Sequence, residues 1–351
     1  MPYGAWDEYF IHQLPRTLDH VGDTEKSWSD RCYFNLHSSD GTILVVTGYG
    51  NNPNTQSAHG YAKVSLADGR HWDLDAIRRC TTDRGDLFAG PMRWTCIEPL
   101  QRWKLELGPN DSGIEWELNY ESRAPMWELL PITIRKKGRL IADMFHIKQP
   151  AYYTGWIKIE GERLSVDGFV GGRDRTIGVR VSEDVDFWLW FEAVFDDRTI
   201  EAWVWESSDG EVLYVDGGFT FDDGRLSKRF VKFEHDVTFD GHRRRPTHAD
   251  IVFTNEDRET FRLTAAATHP DVNANYGMGM SRRQSSDGLS FYKWNSTDST
   301  DLDEVEANAV SLDQLMQFEM DGMIGHGIFE LLARGDHYKR YPNWDPSRPS
   351  S

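Results

Sequence analysis

The sequence predicts an all-β protein made of two antiparallel barrel or sandwich units, with few short helices. Three observations predict it. Period-two hydrophobic alternation runs through most of the chain. Asp-Gly and related turns separate the alternating runs. At 351 residues the chain is long for one such unit and comfortable for two.

The elements follow in order. Arg31–Leu36 and Thr42–Tyr49 flank SSDG, and Tyr61–Leu66 and His71–Ala76 flank ADGR. Lys104–Leu107 and Ile114–Tyr120 flank PNDSG. Ile200–Glu206 pairs with Val212–Asp216 across a second SSDG, and Phe219–Phe221 with Leu226–Phe233 across DDGR. Val166–Val181, rich in glycine with an Arg-Asp-Arg core, reads as a further hairpin. Ser311 is placed as the N-cap of one short helical turn over Ser311–Met316. A change of hairpin set near Ile141–Tyr153 divides the chain into residues 1–145, residues 146–341 and a frayed tail of residues 342–351.

Composition excludes several classes. Thirty-nine Lys and Arg against 57 Asp and Glu leave a formal charge of -18, which repels phosphate backbones and anionic membranes. The one basic cluster, HRRRP at His242–Pro246, is too short to reverse that. Cys32, Cys80 and Cys96 are odd in number and lack CxxC spacing, which fits a reducing cytoplasm. The start, MPYGAWDEYF, has no signal-peptide pattern, and no run approaches the roughly 20 apolar residues of a membrane helix. Only His235, His242 and His248 cluster among the histidines, with basic residues between the last two, so no metal is expected. Gly48-Tyr49-Gly50 and Gly277-Met278-Gly279 complete no dinucleotide fingerprint, and no cofactor is called for.

The aromatic content, with 14 Trp, points to a lined cavity. DFWLWFEAVF (residues 186–195) carries bulky residues on both faces and one carboxylate, Glu192. With Asp196–Thr199 as a hairpin loop, Glu192 falls opposite Trp203 and Trp190 opposite Trp205. Phe187, Leu189, Phe191, Ala193 and Phe195 then form a core face, and Trp188, Trp190, Trp203 and Trp205 surround Glu192 on the other. A carboxyl among indoles is desolvated and stays protonated near neutrality, fit to donate a proton while the rings stabilise a developing cation. Packing tryptophans around a paired Glu192 is the structural alternative. Alternation also puts Arg173, Arg175 and Ile177 on one face of the next strand upstream, with Asp174 and Thr176 on the other. Asp174 is either a buried acid or a salt-bridge partner.

These segments resemble the AttH-like and hydroxyneurosporene-synthase-like (carotenoid hydratase) superfamily. The carrying residues are His12-Gln13-x-Pro15, Gly48–Asn54 (GYGNNPN), Gly90-Pro91 with Glu98-Pro99-Leu100, His146–Gln149 ahead of Gly155, Gly172–Arg180, and Gly325–Glu330 (GHGIFE). The resemblance covers nearly the whole chain and implies two lipocalin-like antiparallel β-barrels packed side by side. The family's middle-strand signature usually has the form R-D-H-S-W-G. Here Arg175 stands for its His and Ile177 for its Trp, with Asp174 and Gly178 retained. The proton-shuttling imidazole is gone, so carotenoid hydration is not carried over intact. Two-domain relatives also include fungal Diels–Alderases, so an apolar ligand is implied more firmly than any one reaction.

Three functions are carried forward. The first is a cofactor-independent hydratase, dehydratase, double-bond isomerase or cyclase acting on a terpenoid, steroid-like or polycyclic molecule. Its catalytic set is Asp174, Glu192 and Arg175, with Arg175 orienting a substrate oxygen. Its ligand set is Trp188, Trp190, Trp203, Trp205, His146, Gln149, Tyr276 and Glu330. The second is a non-catalytic carrier of hydrophobic ligands, and the third a carbohydrate-active β protein. The expected partner is a hydrophobic small molecule, with a homodimer compatible and neither nucleic acid nor membrane insertion expected.

Overall fold

The computed structural model describes residues 4–12, 14, 17, 20–81, 83–181, 184–240, 245–276, 288–308, 311–333 and 339–341. The first half runs through β1 (Trp28–His37), β2 (Ile43–Asn52), β3 (Ser57–Leu66), β4 (Arg70–Arg79), β5 (Leu87–Ala89), β6 (Met92–Glu98), β7 (Arg102–Leu107) and β8 (Ile114–Ser122). Then come β9 (Trp127–Glu128), β10 (Ile132–Lys136), β11 (Arg139–Ile159), β12 (Glu162–Ser165) and β13 (Phe169–Arg180). The second half holds β14 (Phe187–Val194), β15 (Arg198–Glu206), β16 (Val212–Phe221), β17 (Phe230–Phe239), β18 (Pro246–Asn255), β19 (Thr260–Ala266), β20 (Asn273–Tyr276) and β21 (Leu289–Asn295). A ten-residue helix, α1 (Ser299–Asn308), precedes β22 (Ser311–Met320) and β23 (Met323–Ala333).

These strands make two curled antiparallel sheets, as the alternation predicts. The first has the order β21-β4-β3-β2-β1-β13-β11-β8-β7-β6-β5, with β9, β10 and β12 also paired to β11. The second has the order β16-β15-β14-β23-β22-β19-β18-β17, with β20 paired to β22. Its two edges approach where Thr220 bridges Leu226 and Ser227 N–H donates to Phe219 O. Each sheet encloses its own core. One includes Phe34, Trp94, Trp103, Tyr120 and Ile157, and the other Phe191, Phe219, Phe253, Phe318 and Phe329. A third apolar cluster lies between the sheets and contains Trp127, Trp188, Trp190, Trp203, Trp205, Val46 and Ile328.

Four expectations are corrected. Ser311–Met316 is strand, not helix: SLDQLM is buried on both sides in the middle of the second sheet and pairs with β23, so its alternation is masked. Val166–Val181 is no hairpin, because most of it is β13, a single strand between β1 and β11. Phe219–Phe221 and Leu226–Phe233 form no continuous ladder: they are joined at the Thr220–Leu226 bridge and by the Ser227–Phe219 backbone bond. Finally, Ile141–Tyr153 lies within β11, whose 21 residues are unbroken, so a division at 145/146 cuts a strand. The chain changes sheet after β13 instead and returns to the first sheet at β21. The tail of residues 342–351 lies outside the described residues.

Candidate active site between the sheets

The site is built by strands whose two faces serve different cores. In β1, Cys32, Phe34 and Leu36 enter the first barrel, which leaves Arg31, Tyr33 and Asn35 facing the second sheet. Backbone register aligns these with β13 and β11 in rows. Arg31 lies beside Thr176 and His146, Tyr33 beside Asp174 and Lys148, and Asn35 beside Gly172 and Pro150. On β2 the same rows hold Gly50 and Gly48. A methyl group there would lie 2.4 Å from the His59 ring and 2.3 Å from the Tyr61 hydroxyl, so the two glycines let β3 side chains lie across β2. This accounts physically for the first part of GYGNNPN.

The second sheet presents the opposing wall. Phe187, Leu189, Phe191 and Ala193 fill its own core, as the sequence reading has it, while Trp188, Trp190 and Glu192 face the seam. The hairpin register differs from expectation. Phe195 N–H donates to Arg198 O, so the loop is two residues shorter than DDRT, and the pairing slips by two. Trp190 then lies opposite Trp203, Trp188 opposite Trp205, and Glu192 opposite Glu201. A two-residue slip preserves the face but replaces a Trp with a second carboxyl.

Glu192 and Glu201 are both buried, and side chains directly opposite on antiparallel strands have Cβ atoms about 5 Å apart. Glu192 Oε2 accepts from Asn35 Nδ2 at 3.0 Å across the seam. Oε1 of Glu192 and Oε2 of Glu201 have no protein partner. The carboxyl of Glu192 fits because residue 172 is glycine: a Cβ there would stand 2.3 Å from Oε1. Burial pushes Glu192 up to about 7, and burial together with the Glu192 charge holds Glu201 well above the usual carboxylate range. The pair therefore carries at least one proton at neutral pH.

Around it, Lys148 Nζ donates to Asp174 Oδ2 at 3.0 Å and sits 3.3 Å from the centre of the Trp190 ring. His146 Nδ1 bonds Thr176 Oγ1 at 2.7 Å, its Nε2 is 3.7 Å from Asp174 Oδ2, and its ring packs on Trp203. Burial, then the Lys148 charge, keeps this imidazole neutral. Further along the seam, Tyr33 and Tyr276 both donate to Asp313 Oδ2, and Trp188 Nε1 donates to Glu330 Oε1 at 3.0 Å. Burial raises Asp313 and Glu330 as well.

Nine of the eleven expected site residues meet here: Asp174, Glu192, Trp188, Trp190, Trp203, Trp205, His146, Tyr276 and Glu330. The other two point into the first barrel. Arg175 binds Asp30 through Nε at 3.0 Å and Nη2 at 2.8 Å and donates to the carbonyls of Asp7 and Tyr9, so its donors are taken. Gln149 bridges Tyr120, Arg173 and the Leu100 carbonyl. Arg175 and Ile177, which replace the His and Trp of the superfamily signature, line a separate recess of about 490 Å³ with Trp6, His12, Phe145 and Ile147. Arg31, Tyr33, Asn35, Lys148, Glu201, Arg180 and Asp313 were not singled out by the sequence. For Arg31, Tyr33 and Asn35 the alternation with apolar residues reads as a solvent-facing strand side, while Asp313 falls in the segment expected to be a helical turn. Of the histidine trio, His235 bonds Glu206 and Tyr341, His248 pairs with Asp250, and His242 lies outside the described residues. Gln13 and Pro15 of the first motif, and Gly277–Gly279, also lie outside them.

A model of a family of unknown function, DUF8625, matches residues 4–340. The chain is a DUF8625 protein. No curated protein matches it. Solved structures do. A crystal structure from Nitrosomonas europaea described as a putative AttH shares 15% identity at a TM-score of 0.59, covering 88% of this chain and 93% of that one. Kievitone hydratase from Nectria haematococca shares 11% identity at a TM-score of 0.56, covering 90% and 93%. CghA shares 12% identity at 0.56, covering 88% of each chain. At these identities the likeness establishes the fold: this DUF8625 protein has the AttH-like arrangement of two lipocalin-type barrels, as the sequence resemblance implies.

Proposed function

We propose that this DUF8625 protein is a lyase or isomerase that moves a proton on a hydrophobic, oxygen-bearing small molecule held between the two sheets. The observation that carries the reading is the Glu192–Glu201 pair, buried among tryptophans with an unpartnered oxygen on each carboxyl. A carrier has no use for two such groups, because burying them costs stability. Two similar folds support the reading: one bears the name kievitone hydratase and the other is CghA.

In hydration, the neutral carboxyl gives its proton to one carbon of an alkene. Water adds its oxygen to the other carbon, and the second carboxylate takes the remaining water proton, which regenerates the pair. Dehydration is the reverse. In a double-bond shift the second carboxylate instead removes a proton from the neighbouring carbon. Trp190 and Trp203 stabilise positive charge developing on the substrate through their ring faces. Asp174 holds Lys148 against Trp190 and within the field of the carboxyl pair, where its charge favours ionisation of one member.

Native mass spectrometry of the protein purified from cell extract, followed by solvent extraction, tests this. A co-purified apolar oxygenated compound, converted on incubation to a product shifted by one water or isomeric with it, supports the reading. Protein that is empty and binds no apolar dye contradicts it.

A further inference from the structure

One part of the seam is unbalanced. Arg31 projects from β1 and Arg180 from the end of β13, on the same side of the first sheet as Asp174. Among the described residues, Arg31 Nε and Nη2 and Arg180 Nε are buried and have no hydrogen-bond partner, and neither guanidinium lies in an ion pair. Arg180 stands over the Trp188 ring at 5.3 Å, beside the point where that indole donates to Glu330. Both residues keep part of their surface exposed although the two sheets surround them.

The charges nearby offset this pair only in part: Asp174 and Glu330 act on both guanidiniums through space, and neither makes a hydrogen bond to them. Lys148 and Asp174 are committed to each other at 3.0 Å. Glu192, Glu201, Asp313 and Glu330 are all pushed toward their neutral forms by burial. Burial and the mutual repulsion of the two guanidiniums depress Arg31 to about 9, which an arriving negative charge relieves. Guanidinium is suited to such a charge because its fork presents parallel N–H donors to two oxygens at once.

We propose that Arg31 and Arg180 form an anion-binding subsite, so that the molecule held in the seam carries a carboxylate, enolate or similar oxyanion at one end. The apolar remainder lies against the tryptophans, and its reactive carbon is directed toward Glu192 and Glu201. The subsite rests on the seam being a ligand cavity, as in the function proposed above. It adds the substrate's charge and its direction of entry.

Two dyes of the same ring system separate the claims. These are 1-anilinonaphthalene-8-sulfonate, which is anionic, and N-phenyl-1-naphthylamine, which is neutral. Their dissociation constants are read by fluorescence for wild type, Arg31→Gln, Arg180→Gln, Arg31→Lys and the surface control Arg225→Gln. Arg225 sits on the turn after β16, paired with Asp223. The expected result is that either Gln variant weakens the anionic dye at least ten-fold and leaves the neutral dye within two-fold. Arg31→Lys should recover part of the loss and Arg225→Gln should change neither constant. Retained neutral-dye binding shows that the variant still folds. Equal losses for both dyes, or an unchanged constant for the anionic one, overturn the subsite while leaving the cavity intact. Failure of both dyes to bind wild type overturns the cavity itself and the subsite with it.

Discussion

At the scale of single residues, burial without neutralisation sets the chemistry. Glu192 holds its proton to about pH 7 in the folded protein but releases it near 4.5 when unfolded. An acid whose folded pKa is raised contributes stability below its unfolded pKa, and that contribution is lost as pH rises through the folded value. Glu192 should therefore contribute a loss of stability between about pH 4.5 and pH 7, on the order of 1 kcal/mol per pH unit, beside those of the other raised carboxyls Glu201, Asp313 and Glu330. Glu192→Gln should make the slope shallower by about that share, as urea unfolding at several pH values will show; an equal slope in both proteins speaks against a proton held there. Gly172 makes a second residue-scale case. Its φ lies outside the left-handed region, so Gly172→Ala tests space alone. The new methyl meets the Glu192 carboxyl and should cost about 1–3 kcal/mol. In a Glu192→Ala background the cost should nearly vanish, and additive costs would place the carboxyl elsewhere. This carboxyl was legible in the sequence as an acid among indoles. Its partner Glu201 was not, because a hairpin loop two residues shorter keeps every side chain on its face while changing whom it meets.

At the scale of elements, one strand does two jobs with alternate residues. The even positions of β13, Gly172, Asp174 and Thr176, face the seam. Arg173 and Arg175 hold the N-terminal segment in the first barrel, where Arg173 Nη1 and Nη2 reach Glu8 at 2.6 and 2.8 Å. The alternation itself is legible in the sequence, but not that the Arg175 side turns into the first barrel, away from the tryptophans. The Arg175 guanidinium is instead taken up by the buried pair with Asp30. Glu8→Ala leaves Arg173 buried without its counter-charge, and a loss of about 3–5 kcal/mol follows. Urea unfolding checks it, and a loss below 1 kcal/mol would show that the short helical turn at Ala5–Glu8 is not held by this contact.

At the scale of the whole molecule, the all-β class and the pairing of two barrels were legible because alternation and turn chemistry are local. The division between them was not. β11 runs straight through the expected boundary, and β21 rejoins the first sheet from late in the chain, a long-range pairing that no local pattern announces. The same blindness applies to the seam. Polar residues alternating along β1 look solvated until a second sheet covers them, and only the assembled pair of sheets turns Arg31, Tyr33 and Asn35 into a lined interior. The central claim is that this interior performs proton transfer through Glu192 and Glu201. The measurement that tests it most directly is turnover of the co-purified compound by wild type and by Glu192→Gln, with ligand affinity determined on the same samples. The account predicts that the variant loses at least about a hundred-fold in rate while its affinity stays within a few-fold. Comparable turnover by the two proteins would contradict it.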